Sequence, residues 1–182
     1  MDTRVVYRGS TSRFVAEPNQ PGVRIRPYQS GDAPDLEAVA RECFDNYDGH
    51  YHADDRLDNA ACTEGYVEWC LSATTDRQFH VLVSVCEGRM CAFLTLKTLS
   101  DNLGEIVLNG VSPEYQGHGV YDSLFKAAGH FLYRRGVAEV VVATHVNNVA
   151  AQKVWTRNGL ELHEVSYTLH CWFQPPGNGQ LP

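Results

Sequence analysis

Apolar and polar positions first fall into a pattern at Val23, Ile25 and Pro27, which alternate with Arg24 and Arg26 as in a half-buried strand. Ser30-Gly31-Asp32 with Pro34 then marks a helix start, with Asp32 as its expected cap. Leu36, Val39, Ala40, Cys43 and Phe44 recur at helical spacing and give that helix one apolar face. Thr63, Tyr66, Val67, Cys70 and Leu71 predict a second helix. The stretch between the two, Asp45 to Asn59, is dense in polar and aromatic groups.

Two strands in hairpin order come next: Phe79 to Cys86, a turn at Glu87-Gly88-Arg89, then Met90 to Lys97. Ile106 to Val111 reads as a further strand. Tyr121 to Arg135 reads as a helix with Leu124, Ala128, Phe131 and Leu132 on one face and Gly136 as its stop. Val137 to Thr144 is apolar enough to be a strand buried on both faces. Asn148 is expected to cap a short helix running to Asn158 and ending at Gly159, and Leu160 to Phe173 to supply one or two closing strands. The order predicts an α/β fold, a mixed sheet with helices on both faces. Residues 1–22, polar and broken by Pro18 and Pro21, read as an N-terminal arm or weak strand; 23–173 read as one domain and 174–182 as a flexible tail.

A chain of 182 residues with 43% hydrophobic and 20% charged positions suits one globular domain. No apolar run approaches the roughly 20 residues of a membrane helix, and Met1-Asp2-Thr3-Arg4 lacks a secretory signal's apolar stretch. The expectation is a soluble, cytoplasmic protein without a membrane partner. The net charge of −7 argues against nucleic acid, whose phosphates call for a basic surface, but leaves room for a small anionic ligand. Six cysteines form no C-x-x-C pair and eight histidines are scattered, so buried free thiols and no metal site are expected.

The most informative segment is Ile106 to Tyr121, a strand, a loop and a helix start. A glycine-bearing loop at a helix N-terminus turns several backbone N–H groups toward one point, where the helix dipole favours a pyrophosphate. Gly117 and Gly119 allow close backbone approach. Val111-x-Pro113-x-x-Gln116-x-x-Gly119 ahead of a helix, followed after a strand by Asn148-x-x-Ala151-x-x-x-Trp155-x-x-x-Gly159-Leu160, resembles the GCN5-related N-acetyltransferase superfamily over roughly residues 79–165. The resemblance implies a mostly antiparallel central sheet and acetyl-CoA as cofactor. It places the coenzyme A pyrophosphate at Gln116, Gly117, His118, Gly119, Val120 and Tyr121, and the pantetheine arm along the strand edge near Val111. Asn148 would meet the pantetheine or order that end of the site, besides serving as a helix cap. Two positions depart from the family pattern. Tyr121 stands where a small residue is usual, and Trp155 stands where many members carry a general-acid tyrosine; indole cannot transfer a proton at neutral pH.

Acyl transfer to an amine calls for a proton acceptor. Glu105 lies eleven positions ahead of Gln116, the offset of the base glutamate in the histone-acetylating branch, and otherwise reads as a solvated strand-start carboxylate. His145, at the end of the strand after Val140, suits proton transfer by its ordinary pKa. His170 and Cys171 fall on the expected last strand, where core packing is the default. His50-Tyr51-His52-Ala53-Asp54-Asp55-Arg56-Leu57, followed by Tyr66-Val67-Glu68-Trp69, resembles the bacterial subgroup acetylating amino groups of nucleotide-linked sugars. Tyr51, His52, Asp54 and Arg56 are the expected acceptor contacts, since rings suit sugar faces and charged groups suit hydroxyls or phosphates; Trp69 is expected to pack into the core. The acceptor expected is a small-molecule amine, with a peptide or protein amine as the alternative, and a non-catalytic CoA-binding module as a third reading. The sequence leaves a homodimer open.

Overall fold

The computed structural model describes residues 2–45, 47 and 49–173. Seven strands and four α-helices follow one another as β1 (Asp2–Ser10), β2 (Val23–Pro27), α1 (Ala33–Phe44), α2 (Asn59–Ser72), β3 (Phe79–Cys86), β4 (Arg89–Ser100), β5 (Leu103–Val111), α3 (Val120–Tyr133), β6 (Glu139–His145), α4 (Val149–Arg157) and β7 (Glu161–Thr168). They build one sheet of order β2-β3-β4-β5-β6-β1-β7. Every pairing is antiparallel except β5 with β6. The mixed, mostly antiparallel α/β sheet expected from the sequence is the fold.

Each face of the sheet has its own apolar cluster. On one side α3 and α4 contribute Leu124, Phe125, Leu132 and Trp155, which meet Leu94, Leu96, Ile106 and Val140. On the other, Leu36, Val39 and Phe44 of α1 and Tyr66 and Val67 of α2 meet Val83, Phe93 and Leu108. Burying a Leu or Phe fully contributes about 1.5–3 kcal/mol, so these two layers hold the helices to the sheet. The β3–β4 turn takes Glu87 and Gly88 through positive φ (50° and 82°), the twist that suits a two-residue hairpin connection.

Of the two readings of the N-terminal segment, residues 2–10 take the strand. They form β1, inserted between β6 and β7 and paired antiparallel with both, from Arg4↔His145 to Ser10↔Glu139 and from Asp2↔Thr168 to Arg8↔Glu161. Val5 and Val6 are buried there while Arg4 is exposed. Val5, Val6 and the partly buried Tyr7 carry this strand, and both flanking strands lie far along the chain. At the other end, β7 stops at Thr168 and residues 169–173 are not strand, which corrects the expected length. Asp32 also differs from expectation. It sits at the N-cap of α1, but its carboxylate turns back to Arg26 (2.6 and 2.8 Å) and the Gln29 N–H (2.7 Å) and makes no capping bond to the helix. The tail 174–182 lies outside the described residues.

Candidate active site

The site begins as a gap within the sheet. In the parallel ladder β5 pairs with β6 from Leu103↔Glu139 to Ile106↔Val142 and no further, while its antiparallel ladder with β4 continues to Ala92↔Val111. The cause is local. Between Leu94↔Asn109 and Leu96↔Ile106, β5 carries one residue more than β4, and the Leu108 N–H is taken by the Thr95 hydroxyl (3.0 Å) instead of a ladder carbonyl. Such a bulge bends its strand. Beyond it, the stretch Val107 to Val111 leaves β6, and β6 runs on to His145 paired only with β1.

The glycine loop closes one end of the gap. Gly117 and Gly119 have φ of 80° and 81°, and Gly119 is the N-cap of α3 without a side-chain capping bond. Among the described residues, no group accepts from the N–H groups of Gly117, His118, Gly119, Val120 or Tyr121; the first bond of the helix runs from Ser123 N–H to Gly119 O (3.1 Å). Exposed N–H donors beside a helix N-terminus form an anion cradle. Gln116 is exposed and donates its Nε2 to the Val111 carbonyl (3.1 Å), which ties the loop to the β5 rim. Gln20 braces the loop from outside, donating Nε2 to the His118 carbonyl (2.8 Å) and accepting from the Ser123 hydroxyl. Nothing in the local sequence around Gln20 signals that reach.

At the β6 rim, Asn148 caps α4 by accepting the Ala151 N–H (3.2 Å), as expected, and its Nδ2 donates to the Thr144 hydroxyl (3.1 Å). The two departures from the family pattern meet each other. Trp155 is 1% exposed, and its Nε1–H donates to the Tyr121 hydroxyl at 2.8 Å. That bond joins α3 to α4, and burial raises the Tyr121 phenol above its ordinary value.

On the α1/α2 side of the gap lies an aromatic and imidazole cluster. The Tyr47 ring stands edge-on to His145 (5.4 Å), His52 (6.2 Å) and Tyr66 (5.5 Å), and His52 stacks on Tyr66 (5.9 Å). The Nδ1 atoms of both His145 and His52 are buried with no hydrogen-bond partner among the described residues; the other His52 nitrogen bonds to Thr63 (3.2 Å). Glu105 stands elsewhere. It is level with Val141, roughly 13 Å of strand short of His145, and is paired with Lys97 at 3.2 Å. The structure thus does not bring the two expected catalytic residues together.

The cluster continues into a cleft of about 450 Å³ lined by Asp2, His50, Asp54, Arg56, His170 and Trp172. Of the four expected acceptor residues, Asp54 and Arg56 line it, Tyr51 packs beside it on His50 (4.0 Å) and His170 (5.7 Å), and His52 belongs to the neighbouring cluster. The Asp54 carboxylate accepts from Trp172 Nε1 (2.9 Å) and bonds to His170 Nδ1 (2.6 Å), which hold its pKa down to about 2. Arg56 lies over the Trp172 ring at 5.6 Å. His50 is pushed below its usual value, chiefly by burial and then by His170. His170 and Cys171 are therefore not core residues of a last strand: Cys171 is exposed and His170 faces the cleft. Trp69 is likewise 45% exposed, since α2 turns Tyr66, Val67 and Cys70 inward and leaves Trp69 on its outer side. Among the described residues no group of three metal-ligating side chains occurs, and no helix is long and apolar enough to cross a membrane.

Known proteins resemble this chain. A mycothiol acetyltransferase of Saccharopolyspora erythraea is 28% identical over 137 residues, covering 75% of this chain and 43% of its own length. A second mycothiol acetyltransferase, of Saccharomonospora viridis, is 28% identical over 169 residues, covering 88% of this chain and 53% of its own. The chain thus spans about half the length of the curated relatives it matches. Among solved structures, the PaiA N-acetyltransferase of Thermoplasma acidophilum in complex with coenzyme A superposes with a TM-score of 0.62 at 20% identity, over 75% of this chain and 88% of that one. The sequence profile of the acetyltransferase (GNAT) family, whose acyl donor is acetyl-CoA, matches residues 34–160, from the start of α1 to the entry of β7. With the glycine loop, the sheet gap and α4 all inside that span, this chain belongs to the acetyltransferase (GNAT) family.

Proposed function

We propose that the chain is an acetyl-CoA-dependent N-acetyltransferase whose acceptor is a small amine, an amino sugar or nucleotide-linked amino sugar. The observation that carries this reading is the unclaimed row of N–H groups from Gly117 to Tyr121 at the mouth of the sheet gap, with the unpartnered His145 Nδ1 at the gap's other rim. The cradle fits a pyrophosphate, and the free edge of Val107 to Val111 suits a pantetheine arm laid along it like an added strand. Asn148 keeps the β6 rim in place through Thr144. Acetyl-CoA, when bound, supplies the thioester carbon that the amine attacks.

His145 serves as the proton acceptor. Its Nδ1 lacks a partner, so it takes a proton from the incoming ammonium directly or through one water. Glu105 is the second candidate, but its carboxylate is paired with Lys97 and stands level with Val141, away from His145. Trp155 donates and does not titrate, so it takes no part as an acid.

For the acceptor, Tyr51 offers a ring face, Asp54 and Asp55 offer carboxylates, and Arg56 offers a cation beside one cleft. This mixture suits the faces and hydroxyls of a sugar together with a cationic amine. The name of the curated relatives, mycothiol acetyltransferase, supports a small-molecule acceptor. The test is thiol release from acetyl-CoA with a panel of amino sugars, nucleotide-linked amino sugars, peptides and simple amines. Turnover confined to the sugars is the expected result. Turnover of peptides alone would assign a peptide acceptor, and acetyl-CoA binding without turnover of any amine would leave a non-catalytic module.

A further inference from the structure

The Trp155–Tyr121 pair holds a hydroxyl hydrogen with nowhere to go. Indole Nε1–H can only donate, so in the 2.8 Å bond the Tyr121 oxygen is the acceptor. The hydrogen of the Tyr121 hydroxyl finds no acceptor among the described residues. The nearest aromatic neighbours offer none: Phe125, at 6.2 Å between centroids, is apolar. Tyr7, 5.4 Å from Trp155 on its other side, has its hydroxyl engaged with Gln152 at 3.3 Å. Tyr121 is half-buried, and a hydroxyl hydrogen that meets no protein acceptor there is free to donate to a bound ligand.

Its position says which ligand. Tyr121 is in the first turn of α3, two positions beyond Gly119 in the anion cradle. Together with Trp155 it packs in the cluster that contains Ile106 and Val142, the last paired residues before the sheet gap, and Val111 at the far end of the β5 rim. His145 lies on the opposite, α1/α2 side of the same gap, against Tyr47.

We propose that Tyr121 is a catalytic residue whose O–H, aimed by Trp155, donates a hydrogen bond to the thioester of the bound cofactor. The inference rests on the acetyl-CoA reading above. The phenol gives up no proton in this role. Burial raises it above its ordinary value, so it stays protonated through the neutral range and acts as a fixed donor toward the negative charge that develops as the thioester is attacked. Proton removal from the amine is left to His145 on the other side. Trp155 is a positioning residue: it occupies the phenol oxygen so that the hydroxyl hydrogen points away from it.

The test is Tyr121→Phe, which keeps the ring and removes only the hydroxyl. The expected result is a fall in kcat on the order of 10²-fold, with calorimetric affinity for acetyl-CoA, melting temperature and the pH–rate profile unchanged. An independent readout is the infrared C=O stretch of bound acetyl-CoA labelled with ¹³C at the carbonyl, which should differ between wild type and Tyr121→Phe. Trp155→Phe should reduce kcat in the same direction and alter the same band. A Tyr121→Phe enzyme with wild-type kcat, a loss confined to cofactor affinity or melting temperature, or an identical carbonyl band overturns the proposal. Wild-type protein that does not bind acetyl-CoA at all overturns the underlying cofactor reading instead, and is told apart by the calorimetry alone.

Discussion

Gly119→Asp separates the two demands that the cofactor loop places on one residue. The first demand is conformational: φ is +81°, a region where an L side chain costs about 1–2 kcal/mol. The nearest atoms to a Cβ there belong to the Gln20 side-chain amide, from 3.4 Å, a flexible tip that can yield, so the backbone term dominates the steric one. The second demand is electrostatic. A carboxylate roughly 5 Å from one phosphate charge, at an effective dielectric of about 20, is repelled by about 3 kcal/mol. That is a loss on the order of 10²-fold in affinity. Gly119→Ala carries the first demand without the second, and Gly117→Ala, with φ of +80° and open space around its Cβ, measures backbone strain alone. Calorimetric titration with coenzyme A should therefore show both alanine variants with reduced stability but modest affinity loss. The aspartate variant should lose about two orders of magnitude, with part of that loss recovered at high salt because the repulsion is screened. An aspartate variant binding coenzyme A as tightly as Gly119→Ala would refute the placement of the phosphates at this loop.

Three further perturbations follow from the structure. Trp155→Ala removes a fully buried indole and should cost about 3–5 kcal/mol in denaturant unfolding; a neutral result would mean that α4 does not pack as described. His145→Ala should lower kcat at neutral pH by on the order of 10²–10⁴-fold, with partial recovery at high pH where the free amine forms unaided. Glu105→Gln should keep most of the rate, and equal pH–rate profiles for both variants and wild type would remove both as bases. Asp32→Asn tests the Arg26 contact, whose hydrogen bonds hold the Asp32 carboxyl below its ordinary value in the folded state. A depressed folded pKa stabilises fully above the unfolded value near 3.9 and is lost as pH falls through the folded one. The variant should be less stable at pH 7 and lose less on acidification, and parallel acid-unfolding curves would count against the pair.

What the sequence reveals and what it hides divide along the range of the interactions involved. The helices α1 to α4 and strands β2 to β6 announce themselves because each satisfies its own period or carries its own stop: Gly136 and Gly159 end α3 and α4 at φ of 76° and 79°. The glycine loop is legible for the same reason, since its strand, turn and helix are contiguous. Contacts joined only by topology are not. Asp54 meets His170 and Trp172 because β1 and β7 end beside the α1–α2 connection, and no pattern near either segment encodes that meeting. The bulge at Val107–Leu108 is equally silent, as its effect appears only when β4 and β6 flank the strand. Tyr121 and Trp155 each look like an isolated departure in the sequence, and only the fold brings them into one hydrogen bond.

The place of β1 also governs when the protein can finish folding. Its partners are β6 and β7, with Ser10 opposite Glu139 and Asp2 opposite Thr168, so a strand at residues 2–10 waits for strands at residues 139–168. Closing a loop of that length is entropically unfavourable and slows the step that depends on it. Until β1 docks on it, β6 presents one bare backbone edge, a template for pairing with another chain. Removing residues 2–10 would therefore do more than shorten the sheet. It would make that transient edge permanent, and the yield of soluble protein should fall before any property of the site is touched.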